Sequence, residues 1–182
     1  MNYQAILSVP FGMLGIHCEA DALIGIDFLK PDTAPQPANQ TFAREVCEQL
    51  QAYFFDPNFH FNLSLKLCST AHRTKVWQAI SAIPPGHTQN YSDLATLLKS
   101  SPRAIGQACG ANPIPIIIPC HRVVSKSGIG GFMHQTTGNA LDIKRWLLTY
   151  EKQAHRKNNR TYPQPTEYTS PATLKTQIYS TH

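Results

Sequence analysis

Residues 112–124 read Asn112-Pro113-Ile114-Pro115-Ile116-Ile117-Ile118-Pro119-Cys120-His121-Arg122-Val123-Val124. The prolines fix φ and donate no backbone hydrogen bond, so the stretch is a rigid, extended strut rather than a helix. Its isoleucines anchor that strut in a core. The apolar run from Ile114 to Ile118 is broken by Pro115 and closed by Pro119, far short of a membrane span. At the end of the strut stands a thiol, Cys120. His121 places an imidazole beside it, and Asn112 offers an amide able to organise the turn. A thiol attacks as the thiolate, so chemistry at Cys120 requires a base, itself held by a carboxylate.

Upstream, Val76, Trp77, Ile80 and Ile83 mark a helix that Pro84-Pro85-Gly86 terminates. A second helix is expected to start at Asn90, with Asp93 as its reciprocal cap, and to run through Leu94, Leu97 and Leu98. A third begins at Ser101 with Pro102 in the first turn, where a missing N–H costs nothing, and stops at Gly110. Two short helices joined by a short polar turn read as helix-turn-helix, although a three-helix core has the same signature.

Further out, residues 3–30 hold the strand-like runs AILSV, GMLGIHCEA and ALIGIDFL, with Asp21-Ala22 turning the second into the third. Residues 31–40 are a Pro-rich loop. Phe42, Val46, Leu50 and Phe54 fall at helical spacing behind Thr41 as N-cap, and FNLSLKL contains another short strand. Nothing in this region reads as a site. From Lys152 the chain is rich in Thr, Pro, Gln and Asn, which predicts a flexible tail. The organisation is therefore residues 1–70, 71–151 and a tail of 152–182.

Charge follows the same division. Residues 1–70 hold 3 Lys/Arg against 7 Asp/Glu, residues 71–151 hold 8 against 3, and residues 152–182 hold 5 against 1. A basic region that coincides with a helix-turn-helix pattern points to nucleic acid. The five cysteines, Cys18, Cys47, Cys68, Cys109 and Cys120, are odd in number, widely spaced and without a C-x-x-C pair. That fits free thiols in a reducing compartment and argues against a disulfide framework or a compact zinc site. Cys18 beside His17 has the alternative of half a metal site, with core burial the commoner outcome. The N-terminal residues lack the charged start and apolar stretch of a signal peptide, so a cytoplasmic protein is expected, nucleoid-associated in a bacterium or with nuclear access in a eukaryote.

Pro119-Cys120-His121-Arg122-Val123, preceded by Asn112-Pro113, is similar to the active-site signature of the O6-alkylguanine-DNA alkyltransferases. VWQAISAIPPG, YSDLA, RAIGQA and KRWLLTYE fall in that family's order, so the resemblance covers about residues 74–151. Residues 1–70 are compatible with the family's variable N-terminal domain but carry no sharp motif. The resemblance implies an α+β protein: a small N-terminal α/β domain with a short antiparallel sheet, then a mainly helical domain with a winged-helix-like helix-turn-helix. Cys120 would be the nucleophile and alkyl acceptor, His121 its base through a water, and Glu151 the carboxylate that orients the histidine. Asn112 would hold the turn around Cys120, and Tyr91 would donate to the guanine as charge develops. Without the resemblance, Glu151 is an exposed acid at a helix end and Tyr91 a core aromatic.

Arg103 would be the finger that fills the space of an extruded base, or else a phosphate contact. Ser101 opens the same helix, and Ala104, Gly106 and Ala108 are small enough to let it press against the minor groove, though small residues also suit helix packing. The Val123 carbonyl would accept from the guanine amine. Val123, Pro115, Phe132 and Met133 would border the alkyl pocket. The loop FMHQTTGNALDIK departs from the family: it is longer and more polar, with Phe132 where a tyrosine is usual and Met133 where a small residue is common. These departures bear on the range of alkyl groups the pocket would take.

The resemblance thus implies a monomer acting on double-stranded DNA containing O6-alkylguanine, with O4-alkylthymine as a second candidate substrate. Transfer leaves a thioether with no second thiol to resolve it, so each molecule acts once, without metal or cofactor. Three alternatives stand beside it: a sensor that binds alkylated bases without transfer, a thiol hydrolase using Cys120 and His121, and a helix-turn-helix regulator in which Cys120 is structural.

Overall fold

The computed structural model describes residues 2–161 and 176–180, and the chain forms two compact units. The first is built on strands β1 (Ala5–Val9), β2 (Gly12–Glu19) and β3 (Ala22–Leu29), each antiparallel to the next. The turn between β2 and β3 is Ala20-Asp21, one residue earlier than expected, with Ala20 in the left-handed region at φ +50°. Helix α1 (Thr41–Phe55) then crosses over, so the next strand, β4 (Leu65–Ser69), lies parallel to β3. A helical crossover returns a strand in its original direction, whereas a tight turn reverses it. With β7 (Thr176–Ser180) parallel to β4, the sheet is five-stranded and mixed, ordered β1-β2-β3-β4-β7. The antiparallel expectation holds only for its first three strands.

α1 buries Ala43, Val46, Leu50 and Tyr53. That stripe is rotated from the one read from Phe42 and Phe54, which are only half-buried. Thr41 is the first helical residue rather than the cap; Gln40 precedes it without a side-chain capping bond. Pro113–Ile117 belongs to this unit, and the Pro113 carbonyl accepts from the Ile26 N–H at 2.9 Å. Within it Ile116 has φ +76°, a conformation that a β-branched residue adopts only under constraint.

The second unit takes in Lys75–Asn112 and the chain from Ile118. Helix α2 (Ala71–Ser81) buries Val76, Trp77 and Ile80, and the Trp77 indole N–H donates to the Ala108 carbonyl at 2.8 Å. Strand β5 (Gln89–Asn90) leads into α3 (Tyr91–Leu97), and α4 (Pro102–Gly110) follows. The expected reciprocal cap on α3 is absent: the Asn90 side chain donates to the Asp93 carboxylate at 2.9 Å, and neither bonds a backbone group at that helix end. On α4 the reading of the start is correct, since the Ser101 hydroxyl accepts from the Ala104 N–H at 3.2 Å with Pro102 in the first turn. Between the helices Lys99 takes the left-handed conformation, φ +49°, that a glycine more often supplies.

A 3-10 turn (Cys120–Arg122) and strand β6 (Val123–Val124) follow, with β6 parallel to β5. The long helix α5 runs over Asn139–Thr161. It therefore continues well past Lys152, where a flexible tail was expected, and β7 adds a strand to the first sheet. Thr/Pro/Asn-rich composition obscured a helix-compatible start in Lys152-Gln153-Ala154. Residues 162–175 and 181–182 of that tail lie outside the described residues. Among the described residues no helix is long and apolar enough to cross a membrane.

Candidate active site

The residues singled out around Cys120 come together in the second unit. Cys120 opens the 3-10 turn with 2 % of its surface exposed. The Asn112 amide donates to the Ile118 carbonyl at 2.7 Å and to the Cys120 sulfur at 3.1 Å, so one side chain fixes both the turn and the thiol. Burial pushes the thiol up to about 11; the Asn112 hydrogen bond, Lys144 and the backbone N–H groups of Cys120 and His121 oppose that push without overcoming it. Cys120 is therefore a neutral thiol at rest, not the preformed thiolate that neutral-pH attack suggests, and it needs a base at the moment of reaction.

His121 is fully buried, and its Nε2 lies 2.8 Å from Glu151 Oε1. Burial lowers the imidazole's proton affinity more than Glu151 raises it. Burial would also raise the Glu151 carboxyl, but the contacts with His121 and Arg122 hold it well below the usual carboxylate range. A carboxylate can only accept, so Nε2 carries the ring proton and Nδ1 the free lone pair. Nδ1 is buried and has no hydrogen-bond partner among the described residues. The array is thus a neutral imidazole with its tautomer fixed from behind.

Glu151 is locked on every side. Arg122 Nη2 donates to Oε1 at 2.8 Å, Arg122 Nε reaches both oxygens at 3.1 and 3.2 Å, and the Gly86 N–H donates to Oε2 at 3.2 Å. Arg122 also donates to the Ile83 carbonyl at 2.5 Å. Because His121 is neutral, Arg122 supplies the countercharge that makes a buried carboxylate tolerable. Glu151 is only 1 % exposed, which removes the alternative of a solvated acid at a helix end.

Tyr91, at the start of α3, donates its hydroxyl to the Gly131 carbonyl at 3.1 Å. Burial first, then the thiols of Cys109 and Cys120, push its phenol above the usual range. Gly130, at φ +70°, leaves room for that ring: a Cβ there would lie 2.8 Å from Tyr91 Cε2. Lys144 is wholly buried, its ammonium donating to the Val123 carbonyl at 2.6 Å and to the Gly131 carbonyl at 2.9 Å, 5.8 Å from the Tyr91 ring centre. Burial lowers its pKa to about 8, while the two thiols pull the other way.

A cleft of about 500 Å³ opens in front of Cys120, walled by the exposed side of α4 (Pro102, Gly106, Gln107, Gly110), by Cys109, and by the segment Gly131–Thr136. Phe132 and Met133 line it. Val123 and Pro115 do not: the Val123 side chain is buried and its carbonyl already accepts from Lys144, and Pro115 belongs to the first unit. The loop closes as a tight turn in which Phe132 and Gln135 exchange backbone hydrogen bonds of 2.8 Å each way. Its central residues, Met133 and His134, have φ +47° and +59°. Such turns are ordinarily Asn-Gly, and each residue without that latitude costs roughly 1 kcal/mol.

On α4, Arg103 is exposed and Ala104 and Gly106 are half-buried, with open space where a Gly106 Cβ would stand. Ser101 is exposed too, but its hydroxyl is engaged as the helix cap. Ala108 faces the core. α4 ends at Gly110, as read from the sequence, with Ala111 following as cap and Gly110 itself outside the left-handed region. What requires glycine is the neighbouring side chain, since a Cβ at Gly110 would fall 2.8 Å from His134 Cγ.

Arg122 and Lys144 have no role assigned from sequence. The signal for Lys144 was available: it lies seven residues before Glu151 on α5, on the stripe that buries Ala140 and Leu147. His17 and Cys18 form no metal site: His17 bonds Asp27, and Cys18 is buried with its thiol pushed up to about 11 by burial and by Cys47. Among the described residues no group of three His, Cys, Asp or Glu is placed to hold a metal.

Residues 71–153 match the family described as 6-O-methylguanine DNA methyltransferase, DNA binding domain. A probable methylated-DNA–protein-cysteine methyltransferase of Acanthamoeba polyphaga mimivirus is 46% identical over 106 residues, 57% of this chain and 68% of that protein. The methylated-DNA–protein-cysteine methyltransferase of Methanosarcina acetivorans is 35% identical over 160 residues, 82% of this chain and 97% of that protein. Among solved structures, Mycobacterium tuberculosis OGT in complex with DNA superposes with a TM-score of 0.67 at 33% identity, covering 82% of this chain and 92% of that one. A buried thiol backed by an imidazole and a carboxylate, in a chain similar along most of its length to these proteins, leads to one assignment: the chain belongs to the methylated-DNA–protein-cysteine methyltransferase family.

Proposed function

We propose that this protein repairs DNA by direct reversal, moving the alkyl group of O6-alkylguanine irreversibly onto its own Cys120. The observation that carries the reading is the array behind the thiol: Cys120 held by Asn112, then His121 with Nδ1 bare and Nε2–H on Glu151, then Arg122 locking Glu151. His121 Nδ1 takes the Cys120 proton, through a water, as sulfur attacks the alkyl carbon. The S–C bond forms, the C–O6 bond breaks, and the electron pair passes to the guanine ring. Glu151 favours the imidazolium that results, while Arg122 fixes the carboxylate in place and its own charge opposes the imidazolium. Tyr91 donates a hydrogen bond to the leaving base as negative charge develops there, turning from the Gly131 carbonyl to do so, and the proton held on His121 then passes to the released guanine.

The product is a thioether, a poor leaving group, so each molecule turns over once and no cofactor enters the step. The partner is double-stranded DNA containing alkylated guanine, with O4-alkylthymine a further candidate substrate, and the protein acts as a monomer in the compartment that holds the DNA. α3 and α4 serve as a winged-helix-like reading unit. Arg103 fills the stack after the base leaves, with Ser101, Ala104 and Gly106 on the same helix facing DNA. Phe132 and Met133 bound the alkyl group. The exposed position of Arg103 and the open space at Gly106 support these roles.

The test is intact mass after mixing the protein with a duplex that carries one O6-methylguanine. One added CH2, mapping to Cys120 and saturating at one per molecule, is the expected result. Preferential binding of damaged DNA without added mass would replace transfer by sensing.

A further inference from the structure

His134 stands at the lip of the cleft that leads to Cys120, on a backbone that disfavours it. It and Met133 occupy the two left-handed positions of the Phe132–Gln135 turn. Its ring packs against Gly110 in the space that any larger residue would fill. The side chain is exposed, and its ring nitrogens have no hydrogen-bond partner among the described residues. A turn needed only to reverse the chain would be better served by Asn-Gly. A non-glycine pair held in left-handed geometry, presenting an unpartnered imidazole into a cleft, is the pattern of a ligand contact.

We propose that His134 positions duplex DNA by hydrogen bonding a backbone phosphate of the nucleotide whose base enters the cleft; the proposal rests on the alkyl-transfer reading above. The placement selects the phosphate over the base. The base must travel inward to a thiol that is 2 % exposed, whereas a group on the exposed lip meets what stays outside, the sugar and phosphate. Phosphate oxygens are acceptors that an imidazole N–H satisfies, and such contacts fix register rather than read sequence. Gln107 and Gly110 on α4, with the His134 ring packed against Gly110, form one lip of the entrance, so the strand is held where it bends toward the thiol.

The experiment compares alkyl transfer to Cys120 from a duplex carrying one O6-methylguanine with transfer from the free O6-methylguanine base. The proteins are wild type, His134→Ala, His134→Gln, Gly110→Ala and the double variant. His134→Ala is expected to weaken the apparent affinity for the duplex about tenfold, the scale of one hydrogen bond to a charged group, leaving the saturating rate and free-base transfer within about twofold. His134→Gln, which keeps an N–H donor, recovers part of the loss. Gly110→Ala, by displacing the imidazole, reproduces the loss alone and adds nothing to His134→Ala. Equal slowing of both substrates would make His134 a packing residue of the pocket, and an unchanged duplex reaction would remove it from the DNA contact; either overturns the proposal. If wild type alkylates Cys120 from neither substrate, the transfer reading itself falls, and this one with it.

Discussion

Each unit of the molecule contains a histidine whose Nε2 meets a carboxylate at hydrogen-bond distance. In the first, His17 and Asp27 are 2.9 Å apart with side chains 19% and 47% exposed. In the second, His121 and Glu151 are 2.8 Å apart with neither side chain exposed. Distance does not separate them; solvent and the third partner do. Asp27 takes its other hydrogen bond from the Tyr3 hydroxyl, a neutral donor, and water screens the pair. Glu151 takes its others from the Arg122 guanidinium and the Gly86 N–H, out of water. Removal from water makes the second pair decisive: its carboxylate must be charged, its imidazole must be neutral, and only one tautomer fits.

The largest effect is expected from Glu151→Gln. It leaves the Arg122 charge buried without a counterion, and losing one member of such a pair costs about 3–5 kcal/mol, to be read from urea unfolding. Transfer to Cys120 should fall about 100-fold or more as the base loses its fixed orientation, followed by mass against time. His121→Gln comes next. It keeps the Arg122–Glu151 pair, so stability should drop less than in Glu151→Gln while transfer drops as far. Comparable loss of stability in both variants would show that Arg122 is not the main countercharge.

The acid limb of stability gives a third, smaller separation. The folded-state affinity of His121 for protons is below its ordinary value of 6.5, so below that pH the unfolded chain binds the proton that the folded one refuses. Stability should therefore decline as pH falls from about 6.5, in a range where carboxylates are still ionised. Glu151, whose folded pKa is depressed from 4.5, adds a further decline below that value. His121→Gln should remove the first decline and keep the second. The smallest effect is expected at the surface pair: Asp27→Asn should change stability by less than about 1 kcal/mol and leave transfer untouched. A larger loss would mean that screening does not account for the contrast.

How much of this could be read in the sequence follows the same physics. Cys120, His121 and Asn112 lie within one short rigid segment, and local chemistry there leaves few readings. Glu151 was found only through resemblance, because a carboxylate on a helix is ordinarily solvated and nothing local says otherwise. Arg122 and Lys144 were passed over for the reason that charged residues are seldom buried; the helical period that puts Lys144 in line with Leu147 and Glu151 was the stronger signal. The parallel β4 and the helical continuation beyond Lys152 escaped because each depends on where distant chain returns, not on neighbouring residues. Gly110 shows the limit in miniature. Its place at the helix end was legible, but the ring of His134, far along the chain, which fills the space a side chain there would take, was not.

The bond from the Trp77 indole to the Ala108 carbonyl turns α4 into something that can be watched with light. The chain has two tryptophans, Trp77 and Trp146. With Trp146→Phe, the remaining indole would report on the backbone of the helix that borders the cleft. Any shift of that helix as DNA docks would change the hydrogen bond and hence the emission, so the protein carries its own optical clock for loading, independent of whether chemistry follows.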